Sequence, residues 1–326
     1  MIRDPFFRNR LLRDGIYRAV HAKMRQDPRI HLIGEGAQMK IRFDAPEILA
    51  EFPDRIVTLP ISEDSNSNVA VGMSLAGLVP VCDFITSDFG LRTFDAICNT
   101  AAKQSAVSEP RTMVFRGEFL TAGPTTGQRL EGLFARIPGL SVVVPSNPVD
   151  ANGLMRTALE YKGVTVFFED RMIEDDTTAW DDENVHLGDR GVQFGKAMLR
   201  QHGTDLTVVS YGLMTRRLDS ILRKFDCDHI DLRTLWPLDM ETILKSVQKT
   251  EALLVVEPDV WFMGIGAEIV AQVAEAELDH AGGWCCDVRY ARLGGPRVTI
   301  PAAREHHERM LPSDEEILAV VRSLIA

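Results

Sequence analysis

The sequence has no excess of positive charge, no CxxC pair and no long apolar run, and each absence removes a class of protein. Its 326 residues carry 36 Lys and Arg against 47 Asp and Glu, a formal net charge of −11. Bulk electrostatic attraction to a polyanion is thereby disfavoured, and neither nucleic acid nor an anionic membrane is expected as a partner. The five cysteines (Cys82, Cys98, Cys227, Cys285 and Cys286) form an odd set, and the adjacent pair is poorly placed for a mutual disulfide. A reducing, cytoplasmic setting is the expectation. The opening residues, Met1-Ile2-Arg3-Asp4-Pro5-Phe6-Phe7-Arg8, are interrupted by charge, so neither a signal peptide nor a membrane span is expected. No repeat of solenoid period is present.

What remains is the composition of a globular enzyme. At 45% hydrophobic and 25% charged residues, a chain of this length buries a sizeable core and divides naturally into two domains. Apolar, β-branched runs of strand length alternate with helical patterns. Strands are predicted at 30–35, 56–59, 79–84, 112–115, 141–145, 165–168, 206–212, 229–232 and 252–257. Helices are predicted at 13–24, 45–52, 69–78, 90–106, 129–136, 148–161, 214–225, 240–249, 266–278 and 314–325. Such alternation predicts two doubly wound α/β domains with mostly parallel sheets, one over 1–170 and one over 193–326. Between them, 171–192 reads as an exposed acidic linker around Glu174-Asp175-Asp176 and Asp181-Asp182-Glu183, without the patterned spacing of a calcium loop.

One segment carries a chemical signal. Leu59-Pro60-Ile61-Ser62-Glu63 places a lone acid at the end of an apolar stretch, just before a helix of small residues from Val69 to Leu78. A partly desolvated carboxyl in that setting either holds a proton for another group or simply caps the helix. The same stretch resembles the cofactor-activating turn of the beta subunits of thiamine-diphosphate-dependent 2-oxo-acid dehydrogenases, within the transketolase-like pyrimidine-binding family. Asp83-Phe84-Ile85-Thr86-Ser87-Asp88-Phe89, Pro138 to Ser146, Asp231 to Asp239 and Gly264 to Ile269 resemble further blocks of that family in the same order. The resemblance thus extends over nearly the whole chain. It implies a transketolase-like pyrimidine-binding domain followed by a transketolase C-terminal-like domain.

The resemblance assigns roles residue by residue. Glu63 matches the acid that bonds the aminopyrimidine of thiamine diphosphate and promotes loss of the reactive proton. Phe89 matches the aromatic that packs on that ring, unless it is an ordinary core phenylalanine. Ile85 is expected beside it, since the two share side-chain parity on one strand. The family holds the diphosphate through Mg2+ on a Gly-Asp-Gly motif, and this chain lacks it; Gly188-Asp189-Arg190 is a chance match. An alpha-type partner carrying Mg2+ is therefore implied, in an alpha2beta2 assembly, with a lipoyl acyltransferase as a further partner.

Three departures bear on the reaction. Thr126 stands where the family has a histidine associated with substrate binding and acyl transfer, and threonine supplies no titrating group near neutrality. Asn66 replaces an aromatic, which makes the wall more polar. Arg92 occupies a position that can carry glutamine, either to contact an anionic substrate or to form a surface ion pair. Together with Gln128, Asn66 and Arg92 are placed on the substrate side. The implied activity is decarboxylation of a 2-oxo acid with transfer of the acyl or carbanion unit. A split transketolase-like or acyloin-forming carboligase is the alternative, and a catalytically silent structural subunit the third. His306-His307 is expected to be solvated or at an interface, and Ser62 and Ser210 lack a nucleophile elbow.

Overall fold

The computed structural model describes residues 11–38, 45–120, 123–174, 189–278 and 287–326. The N-terminal half runs α1 (Leu11–Gln26), β1 (Ile30–Glu35), α2 (Pro46–Glu51), β2 (Ile56–Leu59), α3 (Glu63–Leu75), β3 (Val79–Thr86), α4 (Ala102–Val107), β4 (Met113–Phe119), α5 (Glu131–Ala135), β5 (Leu140–Val143), α6 (Pro148–Glu160), β6 (Val164–Asp170) and α7 (Arg171–Glu174). The C-terminal half follows with β7 (Met198–Gln201), β8 (Leu206–Ser210), α8 (Gly212–Leu222), β9 (Cys227–Asp231), β10 (Thr234–Trp236), α9 (Met240–Thr250), β11 (Ala252–Val260), α10 (Ile265–Leu278), β12 (Arg289–Gly295) and α11 (Asp314–Ile325).

Seven strands form the first sheet in the order β10-β5-β6-β4-β3-β1-β2, and five form the second, β12-β11-β8-β9-β7. Every neighbouring pair is parallel except β10 with β5 and β7 with β9. The two-sheet, doubly wound α/β architecture expected from the alternation is present. Its central strands β4, β6, β8 and β9 are buried along their whole length, and the starts of β4 and β6 and most of β8 accordingly read as apolar runs, whereas β9 carries Asp228, His229 and Asp231. One apolar cluster runs from Phe84, Phe115 and Phe168 of the first sheet to Val209 and Val255 of the second and to Tyr211, which follows β8. Among the described residues no helix is long and apolar enough to cross a membrane.

Several elements differ from the pattern reading. The helix expected over 69–78 begins six residues earlier, at Glu63, with Ser62 at its N-cap. Its Asp, Ser and Asn residues are weak helix formers, but burial of Asn66, Ser67, Ala70, Val71 and Ser74 overrides that preference. The helix expected over 90–106 is three pieces: a 3-10 turn at Ser87–Leu91, a π-helical segment at Asp95–Ala101, and α4. The helix expected over 129–136 is the short α5. The strands β7, β10 and β12 carry no apolar run that sequence reading could detect. Within the region expected as an exposed linker, 171–192, Arg171–Glu174 form a helical turn and the Val192 amide donates to the Gly153 carbonyl at 2.9 Å. Most of its acidic stretch, with Gly188, lies outside the described residues, as do Cys285 and Cys286.

Candidate active site

The carboxyl ends of parallel strands are where an open α/β sheet leaves a crevice, and the residues singled out above gather there. Glu63 follows β2 and opens α3, where the helix dipole favours a negative charge. The turn before it is tied down by the Asn66 amide, which donates to the Pro60 carbonyl at 3.2 Å, and by the Ser62 hydroxyl, which donates to Ser65 at 2.9 Å. Glu63 is half-buried, and its carboxylate has no hydrogen-bond or ion-pair partner among the described residues. Asn66, expected to make the cofactor wall more polar, is 3% exposed, and its side-chain amide braces the turn that presents Glu63.

At the end of β3 the backbone is unusual. Ile85 has φ +68°, a left-handed conformation that costs a β-branched residue on the order of 1–3 kcal/mol. It lies in a bulge: Asp83 pairs with Arg116 and Thr86 with Glu118, so three steps on β3 match two on β4. The Asp83 carboxylate accepts the Ile85 amide at 2.7 Å. Phe89 is half-buried, in the 3-10 turn after the strand. The shared parity expected for Ile85 and Phe89 does not hold, because bulge and turn both break the period of two; both residues nevertheless fall at the same end of β3. Arg92 is exposed, and its amide donates to the Phe89 carbonyl at 2.9 Å.

The loop after β4 is fastened to that turn. Asp88 Oδ2 accepts the Gln128 amide at 3.1 Å and the Thr86 hydroxyl at 3.4 Å, and burial raises the Asp88 carboxyl above its ordinary range. Thr126 lies in the same loop, two residues before Gln128, with its hydroxyl oxygen buried and without a partner among the described residues, while Gln128 is exposed. Asp88 was not singled out from sequence. Its only signal there was its position one residue before Phe89.

A second polar cluster, also unread in the sequence, sits behind the loop and between the sheets. Arg129 donates to Glu131 at 2.8 Å and to Asp170 at 2.6 Å and stacks 3.8 Å over the Phe119 ring. Burial opposes its charge, but Glu131 and Asp170 outweigh that and hold the guanidinium charged. Facing it from the second sheet, Glu257 is pushed up to about 8 by burial. Asp259 is raised well above the carboxylate range by burial and then by Glu131, and Tyr211 is raised by burial with Glu131, Glu257 and Asp259. A cavity of about 60 Å³ lies here, lined among others by Phe119, Gln128, Arg129, Asp259, Ile300 and His307. His307 is buried and bonds the Pro301 carbonyl at 2.9 Å, contrary to the solvated or interface role expected of it. The acids at the end of the apolar strand Ala252–Val260 were the available signal.

Comparison with known proteins agrees with the two-domain fold. Residues 10–173 match the transketolase pyrimidine binding domain, and residues 195–317 match the transketolase C-terminal domain. The chain is 31% identical over 327 residues to the pyruvate dehydrogenase E1 component subunit beta of Rickettsia conorii, covering 96% of this chain and 97% of that one. It is 32% identical to the mitochondrial counterpart of Caenorhabditis elegans, covering 95% and 91%. Among solved structures, a split-gene transketolase, described as an inactive beta4 tetramer, superposes with a TM-score of 0.78 at 19% identity over 96% of this chain and 97% of that one. The transketolase of Campylobacter jejuni superposes at 0.69 and 12% identity, over 96% of this chain and 46% of that one. With both domain matches in order and near-complete coverage by relatives of one kind, the chain belongs to the transketolase-like family that includes the beta subunits of the pyruvate dehydrogenase E1 component.

Proposed function

We propose that this chain is the beta-type subunit of a heteromeric thiamine-diphosphate enzyme that decarboxylates a 2-oxo acid and passes on the acyl or carbanion unit. The observation that carries the reading is Glu63: a half-buried carboxylate at the first turn of α3, unpaired among the described residues and held on a built turn at the same carboxyl end of the first sheet as Ile85 and Phe89. When bound, thiamine diphosphate supplies the carbon nucleophile. The residues fit its pyrimidine end. Glu63 exchanges a proton at the ring nitrogen, Ile85 and Phe89 offer an apolar wall that excludes water, and the Thr126 hydroxyl, without a partner among the described residues, serves the substrate side with Gln128 and Arg92. The diphosphate and Mg2+ are assigned to an alpha-type partner, because this chain has no Gly-Asp-Gly motif to hold them; an alpha2beta2 assembly follows, with a lipoyl acyltransferase as acceptor. The curated relatives' naming as E1 beta subunits supports this reading.

A second reading, acyloin-forming carboligation, is favoured by one observation: Thr126 offers no titrating group where acyl transfer uses a histidine. Reconstitution with the alpha-type chain tests the main reading. The complex is expected to bind thiamine diphosphate with Mg2+, and Glu63→Gln to leave assembly and binding intact while slowing exchange of the cofactor's C2 proton by about a hundredfold or more. Wild-type exchange in the variant would remove Glu63 from the role.

A further inference from the structure

We infer that Asp83 is a positioning residue for the cofactor face: its carboxylate, clamped by Arg116, holds the Ile85 backbone left-handed and so aims the Ile85 side chain into the wall of the pyrimidine cleft. This rests on the proposed reading of that cleft. The two oxygens of Asp83 divide the work. Oδ1 accepts the Ile85 amide at 2.7 Å, and Oδ2 accepts Arg116 Nη1 at 3.2 Å. Arg116 is itself fixed: it is 3% exposed, donates through Nε to Glu169 at 2.6 Å and through Nη1 to the Tyr17 hydroxyl at 2.7 Å, and lies 5.0 Å from the Tyr17 ring centroid. The anchor therefore runs from the buried face of the sheet, through β6 and α1, to a single backbone amide at the cleft.

The neighbouring strands clear the space this needs. A Cβ on Gly34, the β1 partner of Asp83, would stand 2.8 Å from the Asp83 carbonyl oxygen. A Cβ on Gly117 would stand 2.1 Å from the Phe84 ring. Ile85 is β-branched and has no intrinsic reason to occupy positive φ. Released from Asp83, it relaxes toward extended backbone, absorbs the bulge and changes which face its side chain points to. The carboxylate is thus what keeps an aliphatic side chain, rather than a bare backbone, against the ring.

The test is thiamine diphosphate binding, with Mg2+, to the reconstituted complex, followed by calorimetry, beside the melting temperature of the cofactor-free complex. Asp83→Ala is expected to raise the half-saturating cofactor concentration about tenfold. Asp83→Asn, which keeps an acceptor for the Ile85 amide, is expected to stay within about threefold of wild type. In an Ile85→Gly background, removing the carboxylate is expected to cost no further affinity, since glycine holds positive φ unaided. Should alanine prevent assembly, Asp83→Leu fills the same space and is read the same way. An Asp83→Ala complex that melts lower but binds cofactor like wild type overturns the inference, as does an equal loss in both backgrounds. A wild-type complex that takes up no cofactor overturns the functional reading beneath it.

Discussion

At the scale of single residues, the site divides into groups whose chemistry is visible in sequence and groups whose chemistry depends on burial. Glu63 belongs to the first kind, because it is the lone acid of the Leu59-Pro60-Ile61-Ser62-Glu63 turn between an apolar strand and a helix of small residues. Thr126 does too. Lacking a titrating group, it predicts slow reductive acylation of a lipoyl domain by the reconstituted enzyme, and Thr126→His is expected to raise that rate about tenfold or more; fast acylation by the unmodified enzyme would remove Thr126 as the limiting residue. Glu257 belongs to the second kind. Its carboxyl is pushed up to about 8 by burial, so between its ordinary range and about pH 8 the folded chain binds a proton that the unfolded chain has released. Stability from this group is therefore full at acid pH and falls as pH rises toward 8. Glu257→Gln is expected to flatten that decline in chemical denaturation between pH 5 and 8, and an unchanged slope would refute it.

At the scale of elements, legibility followed the source of stability. Helices α6 and α11 lie where apolar periodicity put them, and local caps reinforce both: Asn147 accepts the Asp150 amide with Pro148 in the first turn, and Ser313 and Glu316 close a capping box. Central strands were readable because both faces are buried. Among the edge strands, β2 was readable at Ile56–Leu59, but β7, which carries Arg200 and Gln201, and β12, which carries Arg289, Tyr290 and Arg292, were not, because pairing rather than apolar pattern makes them strands. The bulge at Ile85 has no compositional signature either, since nothing in Asp83-Phe84-Ile85-Thr86 demands positive φ. Its space requirement is written one strand away, at Gly117, where an added methyl meets the Phe84 ring at 2.1 Å. Gly117→Ala is expected to destabilise the fold by about 1–3 kcal/mol and to lower the denaturant midpoint accordingly; a midpoint equal to wild type would show that the ring yields freely.

At the scale of the whole molecule, the two sheets are not independent. The antiparallel strand β10 leaves the second half of the chain to cover β5, pairing Thr234 with Val143 and Trp236 with Val142, and one apolar cluster serves both sheets. A fragment of residues 11–192 is accordingly expected to lack a stable monomeric form, because it bares an apolar edge strand and half a core. Size-exclusion chromatography of that fragment checks this, and a well-folded monomer would contradict it. The same crossing strand sets a rule for recombination between relatives. A crossover anywhere between β6 and β10 hands the first sheet a foreign border, so chimaeras keep their fold only where Val142 travels with Trp236 and Val143 with Thr234, although at least ninety positions of intervening chain separate the partners in sequence.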